Sequence, residues 1–164
     1  MVNKKDAIEI ITYAEETGIN IWLDGGWGVD ALLEIETREH NDIDLFVEVE
    51  NGIKFTGILK EKGFNEIAET YTTTSHTVWK DNKDRIVDLH MFEFNEQGDI
   101  IFEGETYPSE VFNGIGKIGN KTVRCINAES QVAFHLGYEY DENDVRDVKI
   151  LCERFNIPLP DEYK

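Results

Sequence analysis

Asp42-Ile43-Asp44-Leu45-Phe46-Val47-Glu48-Val49 alternates without a break. Ile43, Leu45, Val47 and Val49 fall on one side; Asp42, Asp44, Phe46 and Glu48 fall on the other. A period of two predicts a strand with an apolar face. Residues two apart on a strand project from the same face, so Asp42 and Asp44 stand side by side while their apolar neighbours anchor the strand. Two carboxylates fixed this closely repel each other unless a cation sits between them. Magnesium, a hard oxygen-seeking ion that also takes substrate phosphates, suits such a pair.

Toward the N-terminus, Ile19 to Leu23 reads as a short buried strand that runs straight into Asp24-Gly25-Gly26-Trp27-Gly28. Val29, Leu32 and Leu33 then mark a short helix after the glycines. Glycines between a strand and a helix leave backbone N–H groups and the helix N-terminus open to phosphate oxygens; larger side chains would block that approach. Further upstream, Asn3 is placed to cap a first helix in which Ala7, Ile10 or Ile11, and Ala14 recur, with Gly18 ending it.

Toward the C-terminus, Phe55, Ile58 and Leu59 predict a helix stopped by Gly63. A hairpin follows, His76 to Lys80 and Arg85 to Phe92 around a turn at residues 81–84. In its second arm Ile86, Asp88, His90 and Phe92 share a face. Asp88 on a neighbouring strand would complete a triad of carboxylates. Two magnesium ions about 3.5–4 Å apart could then hold the attacking and leaving oxygens of an in-line displacement. Gly119-Asn120 reads as a two-residue turn between short strands. After Asn127 the pattern turns helical: Ala128 to Leu136, then a stripe of Val145, Val148, Cys152 and Phe155 that starts at Asp141 and ends before Pro158. The expected organisation is an α+β or α/β body over 1–126 and a small helical annex over 127–164.

The chain has 164 residues, with 16 basic and 34 acidic side chains and a net charge of −18. Such a surface repels nucleic-acid backbones and anionic lipid. It favours a cationic substrate, although a solvated acidic surface that aids solubility explains the numbers equally well. The first residues contain no apolar run of signal-peptide length, and no stretch is long enough to span a bilayer. The expected compartment is the cytoplasm, where Cys125 and Cys152 would be reduced structural thiols. Without a CxxC spacing they propose neither zinc nor redox chemistry.

Gly25-Gly26, Asp42-Ile43-Asp44 and Val87-Asp88-Leu89 are each weak signals alone. Their order resembles the nucleotidyltransferase superfamily of polymerase β-like folds. Gly25-Gly26-Trp27-Gly28-Val29-Asp30-Ala31-Leu32 and Thr37-Arg38-Glu39-His40-Asn41-Asp42-Ile43-Asp44-Leu45 narrow the resemblance to small antibiotic nucleotidyltransferases, above all the lincosamide nucleotidyltransferases. Where the superfamily usually has serine after the two glycines, Trp27 stands here.

The resemblance implies a mixed sheet flanked by helices. It implies transfer of a nucleoside monophosphate, AMP from ATP or its counterpart from another triphosphate, to a hydroxyl of a lincosamide such as lincomycin or clindamycin. Pyrophosphate leaves. Its metal carboxylates fall on Asp42, Asp44 and Asp88, with Asp88 as the base, and two Mg2+ ions are expected. The partners expected are a small-molecule antibiotic and a nucleoside triphosphate, with neither nucleic acid nor membrane; a homodimer is left open. Rival readings are an aminoglycoside 2″-type enzyme, a toxin–antitoxin nucleotidyltransferase that modifies a protein, and a nucleotide-binding module without catalysis. An intact three-Asp set argues against the last.

Among the remaining residues, Gly25, Gly26, Trp27, Arg38 and Lys149 are candidates for the nucleotide. Arginine can grip phosphate with two N–H groups, or Arg38 can pair with Glu36 or Glu39. Arg146 and Lys149 on the last helix can close over the triphosphate or lie on a solvated face beside Asp144 and Asp147. His90 is a candidate for the substrate or for a place under the sheet, and Tyr138 and Tyr140 for an apolar drug wall. His40 can orient the site or sit at a strand edge. His76 and His135 are expected to be structural.

Overall fold

The computed structural model describes residues 1–164. Five α-helices, α1 (Lys4–Glu16), α2 (Gly25–Leu33), α3 (Val49–Glu61), α4 (Ala128–Phe134) and α5 (Glu142–Phe155), accompany nine strands. The strands are β1 (Ile21–Asp24), β2 (Asp42–Glu48), β3 (Asn65–Ile67), β4 (His76–Lys80), β5 (Ile86–Phe94), β6 (Ile100–Phe102), β7 (Glu105–Tyr107), β8 (Gly114–Ile118) and β9 (Lys121–Cys125). The main sheet runs β3-β4-β5-β2-β1-β9-β8, and β6 and β7 extend from the end of β5. The sheet is mixed: β2 lies parallel to β5 and β1 parallel to β9, while the other pairs are antiparallel.

Alternation along the central strands separates two cores. Leu23, Ile43, Leu45, Val47, Val87 and Leu89 enter the larger one together with Ile10 and Ile11 of α1 and Phe55 and Leu59 of α3. On the opposite face Trp22, Phe46, Phe92, Ile100, Val111 and Ile126 form a smaller, largely aromatic cluster. The helix signals act as read. Asn3 and Asp6 make a reciprocal capping box on α1, and Asp141 and Asp144 make one on α5, which satisfies backbone groups that would otherwise lack partners. Gly18 and Gly119 adopt positive φ, as a helix exit and a tight turn require.

Two boundaries differ from the sequence reading. Gly25 and Gly26 do not precede α2; they are its first two residues, so the helix begins directly where β1 ends. Val49 starts α3 instead of extending β2, because the strand leaves the sheet at Glu48 and Val49 is exposed. α4 and α5 follow the last strand and pack on α2, and Val132, Val148, Leu151 and Cys152 join the larger core instead of forming one of their own. α2 is pressed against β8 as well: a Cβ at Gly116 would collide with the backbone of Ala31.

Candidate active site

Sheet register assembles the site. β1 and β2 place Asp24 opposite Asp44, and β2 and β5 place Asp44 opposite Asp88. One register row therefore carries three carboxylates across three adjacent strands. Two residues along, the next row reads Trp22, Phe46, His90, and β4 adds His76 directly opposite His90. Charge occupies one end of this face and aromatic surface the other.

Carboxylate oxygens of Asp42, Asp44 and Asp88 lie within 4.8 Å of one another. Burial, followed by the pressure of Asp88, raises the Asp42 carboxyl above its usual range. Burial drives Asp44 up to about 7, with Asp42 and Asp88 adding to the rise and His90, its Nε2 3.8 Å from Asp44 Oδ1, opposing it. His90 is raised as well: burial pulls its pKa down, but the neighbouring Asp44 carboxylate and the carboxylates around it outweigh that. A set of hard oxygen donors this crowded fits a divalent cation, which relieves the repulsion directly.

The side of the site next to Asp44 is built from α2. Gly25 has φ +60°, and a Cβ there would fall inside the Asp44 carboxylate. The glycine is thus required twice, by its backbone and by its neighbour. Asp24 is the N-cap residue but makes no side-chain cap bond, so the first-turn N–H groups of α2 remain open to an anion. A Cβ at Gly26 would lie 2.7 Å from Arg38 Nη2 and would strike His40 Nδ1. Arg38 accordingly stands beside the start of α2. Its carboxylate partner is neither Glu36 nor Glu39: Nη2 and Nε reach Asp147 of α5 at 3.0 and 3.4 Å, while Nη1 donates to the Glu39 backbone carbonyl. Asp147 is buried and not on a solvated face. His40 is also buried, its Nε2 2.6 Å from Asp30 Oδ2, and Asp30 in turn accepts from the Thr37 amide and hydroxyl. This small network fixes the loop that delivers Arg38. Arg146 ties the same loop to α5 by donating to the Thr37 carbonyl. Lys149 is exposed and enters no ion pair.

Three expectations are corrected. Trp27 is a core residue: it is 2% exposed, and its indole N–H donates to the Val2 carbonyl. A helix that starts at Gly25 turns its third residue inward. Tyr140 stacks on Tyr163 at 4.5 Å and donates to the Glu162 carbonyl, and Tyr138 lies near His135, so neither forms the apolar wall beside the carboxylates. His76 is not a remote structural histidine: its Nε2 sits 2.5 Å from Asp88 Oδ1.

The apolar wall comes from elsewhere. A cavity of about 270 Å³ opens beside the carboxylates, lined by Phe46, Ile100, Phe102, Tyr107, Phe112 and Phe134, with Asp24 and His90 as its polar side chains. β6, β7 and the turn after them supply most of this wall. Their short strands carry no strong periodicity, which is why the sequence reading left them unassigned. A hollow of similar size lies on the other face between α1 and β9, lined by Ile11, Ile21, Leu23 and Val123, and contains none of the carboxylate row.

A mixed sheet with carboxylates on two parallel neighbours, next to a helix that begins with two glycines, defines a metal-dependent nucleotidyltransferase. The family model described as aminoglycoside-2″-adenylyltransferase matches residues 6–151, and the chain belongs to that family. It is 28% identical over 160 residues to the lincosamide resistance protein of Staphylococcus haemolyticus, covering 92% of this chain and 94% of that one. Among solved structures it is similar to the lincomycin-bound lincosamide antibiotic adenylyltransferase LnuA, with TM-score 0.82, 29% identity and coverage of 96% and 99% of the two chains. ANT(2″)-Ia in complex with adenylyl-2″-tobramycin shares the fold, with TM-score 0.73 at 19% identity over 93% of this chain and 88% of that one. The protein is an antibiotic nucleotidyltransferase that uses a nucleoside triphosphate and a divalent metal. No helix is long and apolar enough to cross a membrane.

Proposed function

We propose that the protein transfers AMP from ATP to a hydroxyl of a lincosamide, with Asp42, Asp44 and Asp88 as the metal carboxylates and Asp88 as the base. The observation that carries the drug class is the aromatic cavity beside the carboxylates. Lincosamides are amphipathic, and an apolar wall next to the reacting hydroxyl suits them. The resemblance in sequence and structure to a lincosamide resistance protein and to a lincomycin-bound enzyme supports the same reading.

Asp42, Asp44 and Asp88 would hold magnesium, as one or two ions, which would supply charge neutralisation at the transferring phosphate and acidify the attacking hydroxyl. The chain's residues do the rest. The open N–H groups of α2 at Gly25 and Gly26 receive phosphate oxygens, and Arg38, held by Asp147, adds positive charge beside them. Lys149 on the exposed side of α5 is free to add more. Asp88 accepts the hydroxyl proton. His90, stacked on Phe46 at 4.7 Å, forms the boundary between the carboxylates and the drug cavity. The body over 1–126 supplies carboxylates and cavity, and the annex over 127–164 braces Arg38 and adds Phe134. A cytoplasmic setting, where ATP is plentiful, is part of the same reading.

Phe102 tests this assignment without touching the metal set. Its ring packs on Phe46 at 5.1 Å and lines the cavity. Phe102→Ala should raise KM for lincomycin about tenfold or more, the loss of roughly 1.4 kcal/mol or more of apolar contact, and leave KM for ATP unchanged. Equal lincomycin KM in wild type and variant would place the drug elsewhere.

A further inference from the structure

Asp88 belongs to two groups of donors. One is the oxygen set with Asp42 and Asp44. The other is His76, Asp88 and His90, whose ligand atoms also lie within 4.8 Å of one another. The geometry points to a second metal site of mixed donors, His76 Nε2, an Asp88 oxygen and His90 Nε2, that takes a borderline d-block cation such as Zn2+ in preference to Mg2+.

The sheet pre-forms this set. β4 and β5 are antiparallel with His76 directly opposite His90, and Asp88 stands two residues before His90 on the same face. The imidazole centroids are 4.3 Å apart. His90 Nε2 is 3.3 Å from Asp88 Oδ1, close to the ligand–ligand edge of roughly 3.3–3.4 Å in a tetrahedron with metal–donor bonds of about 2.0–2.1 Å. His76 Nε2 is nearer, at 2.5 Å. There a hydrogen bond occupies the place a metal would take, and binding replaces that bond and opens the pair by about 0.8 Å. Phe46 stacked on His90 and Tyr71 beside His76, at 4.7 and 5.0 Å, limit the swing of both rings. Side-chain exposures of 19%, 13% and 13% leave a way in for the ion and room for a fourth ligand from solvent.

Donor chemistry separates the two sets. Imidazole nitrogen suits Zn2+, Cu2+ and Ni2+, whereas Mg2+ demands oxygen. Because Asp88 serves both, Zn2+ at the mixed set draws this carboxylate away from the oxygen set and slows transfer even at saturating magnesium. That consequence rests on the role proposed for Asp88; the binding itself does not.

The test uses Co2+ as a visible substitute for Zn2+ on the nucleotide-free protein. One equivalent should give the strong absorption of four- or five-coordinate cobalt. Asp42→Asn should keep those bands, and His76→Gln should weaken cobalt binding by about tenfold or more. Wild-type protein showing only weak six-coordinate absorption overturns the site, as does cobalt affinity unchanged in His76→Gln or bands lost in Asp42→Asn. Should His76→Gln fail to fold, the unmodified protein answers the question. Bound Co2+ must shift the ring protons of both His76 and His90, and unshifted resonances refute the proposal. Zn2+ is then titrated into the transfer assay. Strong cobalt bands without zinc inhibition would keep the site and contradict the role given to Asp88.

Discussion

Asp44 shows at the scale of one residue how catalysis and stability conflict. Its carboxylate is opposite Asp24 and Asp88 in the sheet, two residues from Asp42, and raised to about 7. An acid whose folded pKa lies above its unfolded value of about 4 favours the folded state at low pH. That contribution is present below about pH 4 and is lost as pH rises through about 7. The metal-free protein should therefore lose stability between about pH 4 and pH 7 and stay low above it, and magnesium should restore it by holding the charged form. Asp44→Asn removes the repulsion along with the metal oxygens. It should abolish turnover yet raise the melting temperature of the metal-free protein at pH 8 by roughly 2–4 °C for each kcal/mol gained. A thermal melt with and without magnesium decides the matter; a variant that melts lower than metal-free wild type would contradict the crowding argument.

At the scale of elements, the strand pattern made Asp42 and Asp44 neighbours and put Asp88 and His90 on one face. What alternation alone does not reveal is which strands pair. The row Asp24–Asp44–Asp88 follows from β1 being antiparallel and β5 parallel to β2. Asp24 was read only as the residue before two glycines. His76 was missed by one residue: a turn over 81–84 would pair Lys80 with Arg85 and put His76 opposite Leu89, whereas the loop includes Arg85 and pairs Lys80 with Ile86, which brings His76 opposite His90.

Trp27 and Asp147 escaped for a different reason. Their burial depends on how α2 and α5 roll against the sheet, which no local pattern specifies. The same holds for Arg85, which reads as an ordinary start to a strand. It is 5% exposed and gathers Asp81 at 2.7 Å, Glu9 at 2.5 Å and Asp6 at 3.4 Å, tying α1 to the hairpin beneath the site. Although burial alone would raise the Asp81 carboxyl, its bonds to Arg85 hold it below the usual range. Arg85→Met would leave the buried Asp81 without its charge partner, with only the backbone amides of residues 83 and 85 still donating to it, at a cost of about 3 kcal/mol. Urea unfolding at pH 7 measures this; a loss under about 1 kcal/mol would mean that solvent reaches Asp81 and replaces the arginine.

Across the whole molecule, two cores on opposite faces of one sheet divide the labour. The larger, with α1 and α3, holds the central strands rigid, and the smaller aromatic one continues into the cavity beside the carboxylates. A net charge of −18 draws cationic drugs of either class, so charge does not choose between them. The cavity wall makes that choice, and it is built from short strands the sequence does not announce.

The central claim is best tested by the product itself. Purified protein is incubated with ATP and a mixture of lincomycin, clindamycin and kanamycin-like aminoglycosides, with magnesium or with a chelator, and each drug is weighed by mass spectrometry. The account predicts that the lincosamides gain one adenylyl group, with pyrophosphate released in equal amount, only when magnesium is present. Adenylylated aminoglycosides beside untouched lincosamides, or transfer that persists in the chelator, would contradict it.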